Sequence, residues 1–167
     1  MRVIGVILGL VVYATASGQS VEELDKKGGF KEFKIGDSVS LYKDKVKPTK
    51  TLENVDSKLY LAKDKVSVKT YTGEVELKVY KGKVQEVIVS FKNSSKSDFE
   101  DLLKSLETLY GEYSKGKEKS PALSRFEKVY VWTGQKIKLR IGYDENYKLT
   151  EMVYSEHDSV DKLKEEF

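Results

Sequence analysis

From Leu59 onward the chain alternates polar and apolar residues, and it does so in two stretches that echo each other. Lys83-Val84-Gln85-Glu86-Val87-Ile88-Val89-Ser90 aligns with Lys148-Leu149-Thr150-Glu151-Met152-Val153-Tyr154-Ser155. A Thr-Gly pair stands upstream of each, in Tyr71-Thr72-Gly73 and in Trp132-Thr133-Gly134. A period of two sends successive side chains to opposite faces of a strand, so these stretches build a sheet rather than helices. The pattern predicts strands over 59–62, 66–72, 74–80 and 84–91, then over 126–133, 136–143 and 148–155. Thr72-Gly73 and Lys81-Gly82 mark the expected turns, because glycine takes positive φ without strain. Val75, Leu77 and Val79 share one strand face, opposite Glu74, Glu76, Lys78 and Tyr80. Ile137, Leu139 and Ile141 likewise oppose Lys136, Lys138 and Arg140. The echo is either a duplicated helix-plus-hairpin unit or two hairpins that share only the alternation of antiparallel strands.

One segment carries a helical period instead. Phe99, Leu102, Leu103, Leu106, Leu109 and Tyr110 recur on one helix face, and Gly111 is placed to cap the end. Ser97-x-x-Glu100 is the expected capping box, each side chain satisfying a backbone N–H near the helix start. A shorter helix is expected from Asp37 or Ser38 to about Val46, stopped by Pro48. The combination is an α+β fold: an antiparallel sheet of six or seven strands with helices on one face. Residues 28–158 form one domain, with possible sub-units 28–92 and 97–158. Residues 17–27 read as a flexible leading segment and 159–167 as a charged tail.

The first residues read as a targeting segment. Arg2 is followed by an apolar run to Tyr13 and by Ala14-Thr15-Ala16, the order of regions in a signal peptide over 1–16. The apolar run is shorter than the ~20 residues of a membrane span. No span is therefore expected after cleavage, and about 150 residues remain, enough for a core. The chain has no Cys, which excludes disulfides, a thiol nucleophile and cysteine-held metal. Export without disulfides points to a bacterial envelope, periplasmic or secreted. Thirty basic and 27 acidic residues give a net charge of +3, with the two signs interleaved. A nucleic-acid partner is not expected, because such binding concentrates cations on one face.

Catalytic patterns are sparse. The single His157 lies in Glu156-His157-Asp158, where successive strand residues point apart and cannot converge on one ion. No Gly-x-Ser-x-Gly elbow or phosphate-cradling glycine loop occurs. No catalytic residue, metal or cofactor is expected. Acidic residues are plentiful, so a carboxylate-dependent hydrolase, working in a groove between the two units, stays open as an alternative. The richest constellation is a sheet face. If Val129 and Val131 point inward, Tyr130 and Trp132 point outward and join Tyr71 and Tyr80, with Lys69, Lys78, Lys138 and Arg140 among them. Aromatic and cationic side chains of this kind suit a protein or glycan partner. The same residues also suit plain cross-strand pairing, with lysine stems lying over rings.

Gly29-Phe30-Lys31-Glu32-Phe33-Lys34-Ile35-Gly36, then a short helix, then Leu106-x-x-Leu109-Tyr110-Gly111 before new strands, resembles small exported bacterial proteins of Bacteroidota type, a largely uncharacterised group. The layout is also similar to the β-lactamase-inhibitor-protein-like and outer-membrane-assembly-lipoprotein-like folds. This resemblance implies helices on one face of an antiparallel sheet and carries over no catalytic residue. The chain departs from both by lacking the cysteines of the first and the lipid-attachment cysteine of the second. The resulting expectation is a non-enzymatic exported binding or adaptor protein, or else a structural envelope protein.

Overall fold

The computed structural model describes residues 20–51, 56–116, 123 and 125–157. The expected signal peptide and the charged tail lie outside these residues. The chain runs α1 (Val21–Lys27), β1 (Gly29–Phe30), β2 (Phe33–Lys34), a 3-10 turn (Val39–Tyr42), β3 (Val46–Thr51), β4 (Ser57–Ala62), β5 (Val66–Val68), β6 (Tyr71–Tyr80), β7 (Lys83–Lys92), α2 (Lys96–Tyr110), β8 (Ser114–Gly116), β9 (Val129–Thr133), β10 (Ile137–Asp144) and β11 (Leu149–Glu156). β1 and β2 pair as a small hairpin, and the other strands form one nine-stranded antiparallel sheet. The α+β class is as expected, with more strands than the six or seven read from the sequence. The excess over the seven strands read from the sequence comes from β3, which carries Pro48, and from β8, whose three residues are too few to register as a period.

Strand order is β3-β4-β6-β7-β11-β10-β9-β8, with β5 on the free end of β6. The two echo strands, β7 and β11, are neighbours. Ile88 pairs directly with Val153, and these are the same position of the echo. Outward from that pair, Ile88 meets Glu76 as Val153 meets Arg140, and Leu77 meets Tyr60 as Ile141 meets Tyr130. The register thus reads alike from the centre toward both edges.

One face of this sheet holds the main core. Val75, Leu77, Val79, Val87, Val89, Leu139, Ile141, Met152 and Tyr154 meet Leu24 of α1 and Phe99, Leu102, Leu103 and Leu106 of α2. Complete burial of one such aliphatic side chain contributes about 1.5–3 kcal/mol. The helix start differs from the expected box by two residues. Ser95 is the cap: its hydroxyl accepts from the Asp98 N–H at 3.2 Å, and Asp98 accepts from the Ser95 N–H at 2.8 Å. Ser95-x-x-Asp98 has the same spacing as Ser97-x-x-Glu100, with a shorter acid in the return bond.

Three other expectations are corrected. The segment expected to be flexible carries α1, capped by the Ser20 hydroxyl and anchored by buried Leu24. The expected helix from Asp37 to Val46 is only the 3-10 turn. Ser38 makes no side-chain cap bond, and its hydroxyl lies 2.8 Å from that of Ser40. Thr72-Gly73 is not a turn. Gly73 lies inside β6, where a Cβ would come within 2.8 Å of the Phe91 ring, and the chain reverses instead at Lys69 with φ 53.

α1 is also tied to the far end of the chain. The Asp25 carboxylate accepts from the backbone N–H groups of Gln135, Lys136 and Ile137 at 2.7, 2.9 and 2.8 Å. Gly134 makes this approach possible, since a Cβ there would sit 2.5 Å from the carboxylate. Burial raises the pKa of Asp25, but the three N–H bonds outweigh it and leave the group below the usual aspartate range. A lowered folded value means the clamp is complete above the unfolded pKa near 3.9 and is lost as pH falls through the folded value.

Asp25→Asn is expected to lower stability by about 1–3 kcal/mol at neutral pH. The gap to the parent should close in strong acid, and urea titrations across pH measure it. A gap that stays constant down to the most acidic point would rule out the charged clamp.

Candidate functional site

The aromatic–basic face read from the sequence does not form. Trp132 is 1% exposed and lies on the helix side, where its Nε1 donates to the Gly111 carbonyl at 2.8 Å. Tyr130 shares that side and packs on Phe99, while Tyr71 packs at the edge of the same core. Val129 and Val131 point the other way, reversing the expected parity. The reason is a second cluster: Leu123, Phe126, Val129, Val131 and Val153 bury one another on the opposite face. Both alternating sets of β9 are apolar, so alternation alone could not choose between two cores. Arg140 has the expected parity but is 1% exposed, and its guanidinium donates to the Ser155 hydroxyl at 2.5 Å. Lys138 is half-buried on that face, and Lys69 sits in the turn before β6. Tyr80 and Lys78 are half-exposed on the far side of β6, where Lys78 pairs with Glu86 at 3.7 Å. The seven candidates are therefore divided between two faces.

Phe126 reaches the sheet because β10 has Gly142 beneath it. A Cβ at Gly142 would lie 2.6 Å from the ring. Leu123 and Phe126 bury Val129, Val131 and Val153, with Ile88 packed at the margin, while Glu74, Glu76, Lys78 and Tyr80 on the same side of β6 stay half-exposed. At the margin of the cluster lies a trough of about 410 Å³. Leu61 and Ile88 contribute apolar floor, and Glu74, Glu76, Glu151, Lys92 and Arg125 contribute charge. Arg125 forms an ion pair with Glu151, which also accepts from the Ser90 hydroxyl at 3.0 Å. Lys92 pairs with Glu74 at 2.7 Å. Burial, and secondarily the charge of Glu151, push the Glu76 carboxyl above its usual range.

A second concavity, of about 370 Å³, opens between the first turns of α2 and the ends of β9 and β10. Its wall is aromatic. Phe99 stacks on Tyr143 with centroids 5.4 Å apart and packs on Tyr130 at 5.7 Å. Tyr113 meets the edge of Tyr130 at 5.0 Å, with the Lys115 ammonium near both rings. Lys96, Arg125 and Lys128 line the cleft alongside Glu100, Glu127, Asp144 and Glu145. The Tyr143 hydroxyl donates to the Ser94 carbonyl at 3.4 Å, and its pKa is raised by burial and then by Glu145, Asp98 and Asp144.

Protein-family models, curated proteins and solved structures give no match to this chain.

Among the described residues, no group of His, Cys, Asp and Glu side chains is arranged to hold a metal ion. His157 is exposed in the turn after β11. No described helix is long and apolar enough to cross a membrane. The sequence pointed to Phe99 only as part of the α2 apolar stripe, and it did not single out Tyr143, Tyr113, Arg125 or Lys128. Tyr143 continues the inward parity of Ile141 past the end of the core, which is the one sequence signal for a ring that overhangs.

The raised pKa of Glu76 gives a test of the trough. A folded value above the unfolded one costs stability at neutral pH, and that cost disappears below the unfolded value of about 4.3. Glu76→Gln should therefore raise stability at neutral pH by up to about 1 kcal/mol and leave it unchanged in acid. Thermal melts at both pH values check this; destabilisation at neutral pH would contradict the assignment.

Proposed function

We propose that this chain is an exported, non-enzymatic binding or adaptor protein that takes a glycan or a protein segment into the aromatic cleft. The observation that carries this reading is the pair of half-exposed rings, Tyr130 and Tyr143, which flank the buried Phe99 ring and open into a concavity. Rings at the edge of a cleft present large apolar area at low entropic cost, and such residues dominate binding energetics. The lining carries both signs of charge. That suits a neutral polyhydroxyl ligand, with carboxylates accepting and ammonium groups donating hydrogen bonds. A glycan therefore fits the cleft better than a highly charged segment. Export rests on the order of charge, apolar run and small residues in the first 16 positions.

A glycan array followed by calorimetry on the hits tests this. Tyr143→Ala and Lys128→Glu are expected to weaken binding by about tenfold or more while leaving circular dichroism unchanged. Affinity untouched by both substitutions would remove the cleft as the site. Binding only to an envelope protein, with the same sensitivity, would select the protein-segment form.

A second reading, a carboxylate-dependent hydrolase, is favoured by one observation. Glu76 is pushed toward its protonated form near Glu151, whose charge is held by Arg125. A carboxyl group held toward its protonated form beside a second carboxylate is an arrangement that acid–base hydrolysis uses. Glu76→Gln should abolish any glycoside or ester hydrolysis the chain performs. Hydrolysis at the parental rate in that variant would leave only the binding reading.

A further inference from the structure

A third concavity lies on the helix side of the sheet, away from both the trough and the aromatic cleft. It is a slot of about 380 Å³ between α2, the β1 strand and β11. Its chemistry is divided by depth. Leu102, Leu106, Met152 and Tyr154 form a buried interior. The Tyr154 hydroxyl is bonded to Tyr110, and its pKa is driven well up by burial and then by Tyr110. The interior is therefore a place for hydrocarbon, with the tyrosine hydroxyl already engaged.

The rim is different. Lys27, Lys31 and Lys34 line the slot, the first two exposed and the third half-exposed. No carboxylate lines it among the described residues. That is unusual in a chain with 30 basic and 27 acidic residues interleaved throughout, where the other two concavities mix both signs. The ammonium groups are positioned chiefly by uncharged groups, although Glu23 feels the charge of Lys27 and Glu32 that of Lys31 from outside the slot lining. Lys34 donates to the Lys27 carbonyl at 2.6 Å, Lys31 to the Ser67 carbonyl at 3.1 Å, and Lys27 lies 5.1 Å from the Tyr110 ring centre. An ammonium has three donors, so each keeps N–H groups to offer a ligand.

We propose that this slot binds a free single-chain fatty acid, with its hydrocarbon between α2 and β11 and its carboxylate on the lysine rim. The volume falls in the range of small-molecule sites, about 300–1,000 Å³. An apolar interior with an all-cationic mouth is complementary to an apolar chain with one anionic end. Charge-assisted bonds to the head add to chain burial and select against uncharged analogues. This site is independent of the aromatic cleft, so either can fail without the other.

Calorimetric titration of the full chain with dodecanoate, kept below its micelle concentration, tests the assignment. One-to-one binding is expected, with dodecanol and octanoate each weaker by about tenfold or more. The double substitution Lys27→Glu, Lys31→Glu, which changes two exposed side chains, should weaken dodecanoate by at least about tenfold and leave dodecanol unchanged. Leu106→Trp should block both by filling the interior, and its fold is checked by circular dichroism. If that variant does not fold, the charge pair and the two analogues still decide the matter. The proposal is overturned by dodecanol binding as tightly as dodecanoate, by affinity that survives the charge reversal, by no binding at all, or by binding only to anionic phospholipid vesicles.

Discussion

The pairing of β7 with β11 is the constraint on which the rest of the molecule depends. It joins two hairpins that are otherwise far apart in sequence, and it does so with Ile88 opposite Val153. A slip of one residue would move every side chain of a hairpin to the wrong face. Both faces of this pair are committed: Val87, Val89, Met152 and Tyr154 on the helix side, Ile88 and Val153 on the other. Register is therefore specified twice over. The α2 helix, which connects the hairpins, has its apolar stripe where the joined sheet presents its aliphatic face.

How much of this was legible follows from how many cores there are. The alternation in β6 and β10 has one apolar set and one polar set, and both strands were read correctly. β9 has two apolar sets, Val129 with Val131 and Tyr130 with Trp132, and the choice fell on the wrong one. No local rule could have corrected it. What decides the parity is the loop residue Phe126 seated over Gly142 and the buried Leu123, neither of which shows a period. The candidate site was lost by the same route. Trp132 went inward, Arg140 was covered, and the rings that remain at a surface, Tyr143 and Tyr113, lie where strands or helices run out.

The cluster of Leu123 and Phe126 over β9 and β10 gives the molecule an asymmetry that its strand register lacks. Glu76 and Arg140 occupy matching positions about the central pair. One stays in a half-open trough with a raised pKa, and the other is enclosed against Ser155. Arg140 stands opposite Val153, which packs with Leu123 and Phe126, whereas Glu76 stands opposite Ile88 at the margin of that cluster. Arg125 sits on the loop that carries Leu123 and Phe126 and lines both the trough and the aromatic cleft, so the segment that hides one part of the sheet also shapes both concavities at its border.

The Asp25 clamp has a consequence for the order in which the chain assembles. Its carboxylate and the N–H groups it holds are 110 to 112 residues apart. Closing so long a loop is entropically slow, and contacts of that span form late along a folding path. The first described helix is thus made before the turn that holds it and is among the last elements to be secured. Strengthening or weakening its grip should act on the rate of unfolding far more than on the rate of folding. The kinetic lifetime of the native state is set in part by the first helix of the described chain, and through it by a turn near the other end.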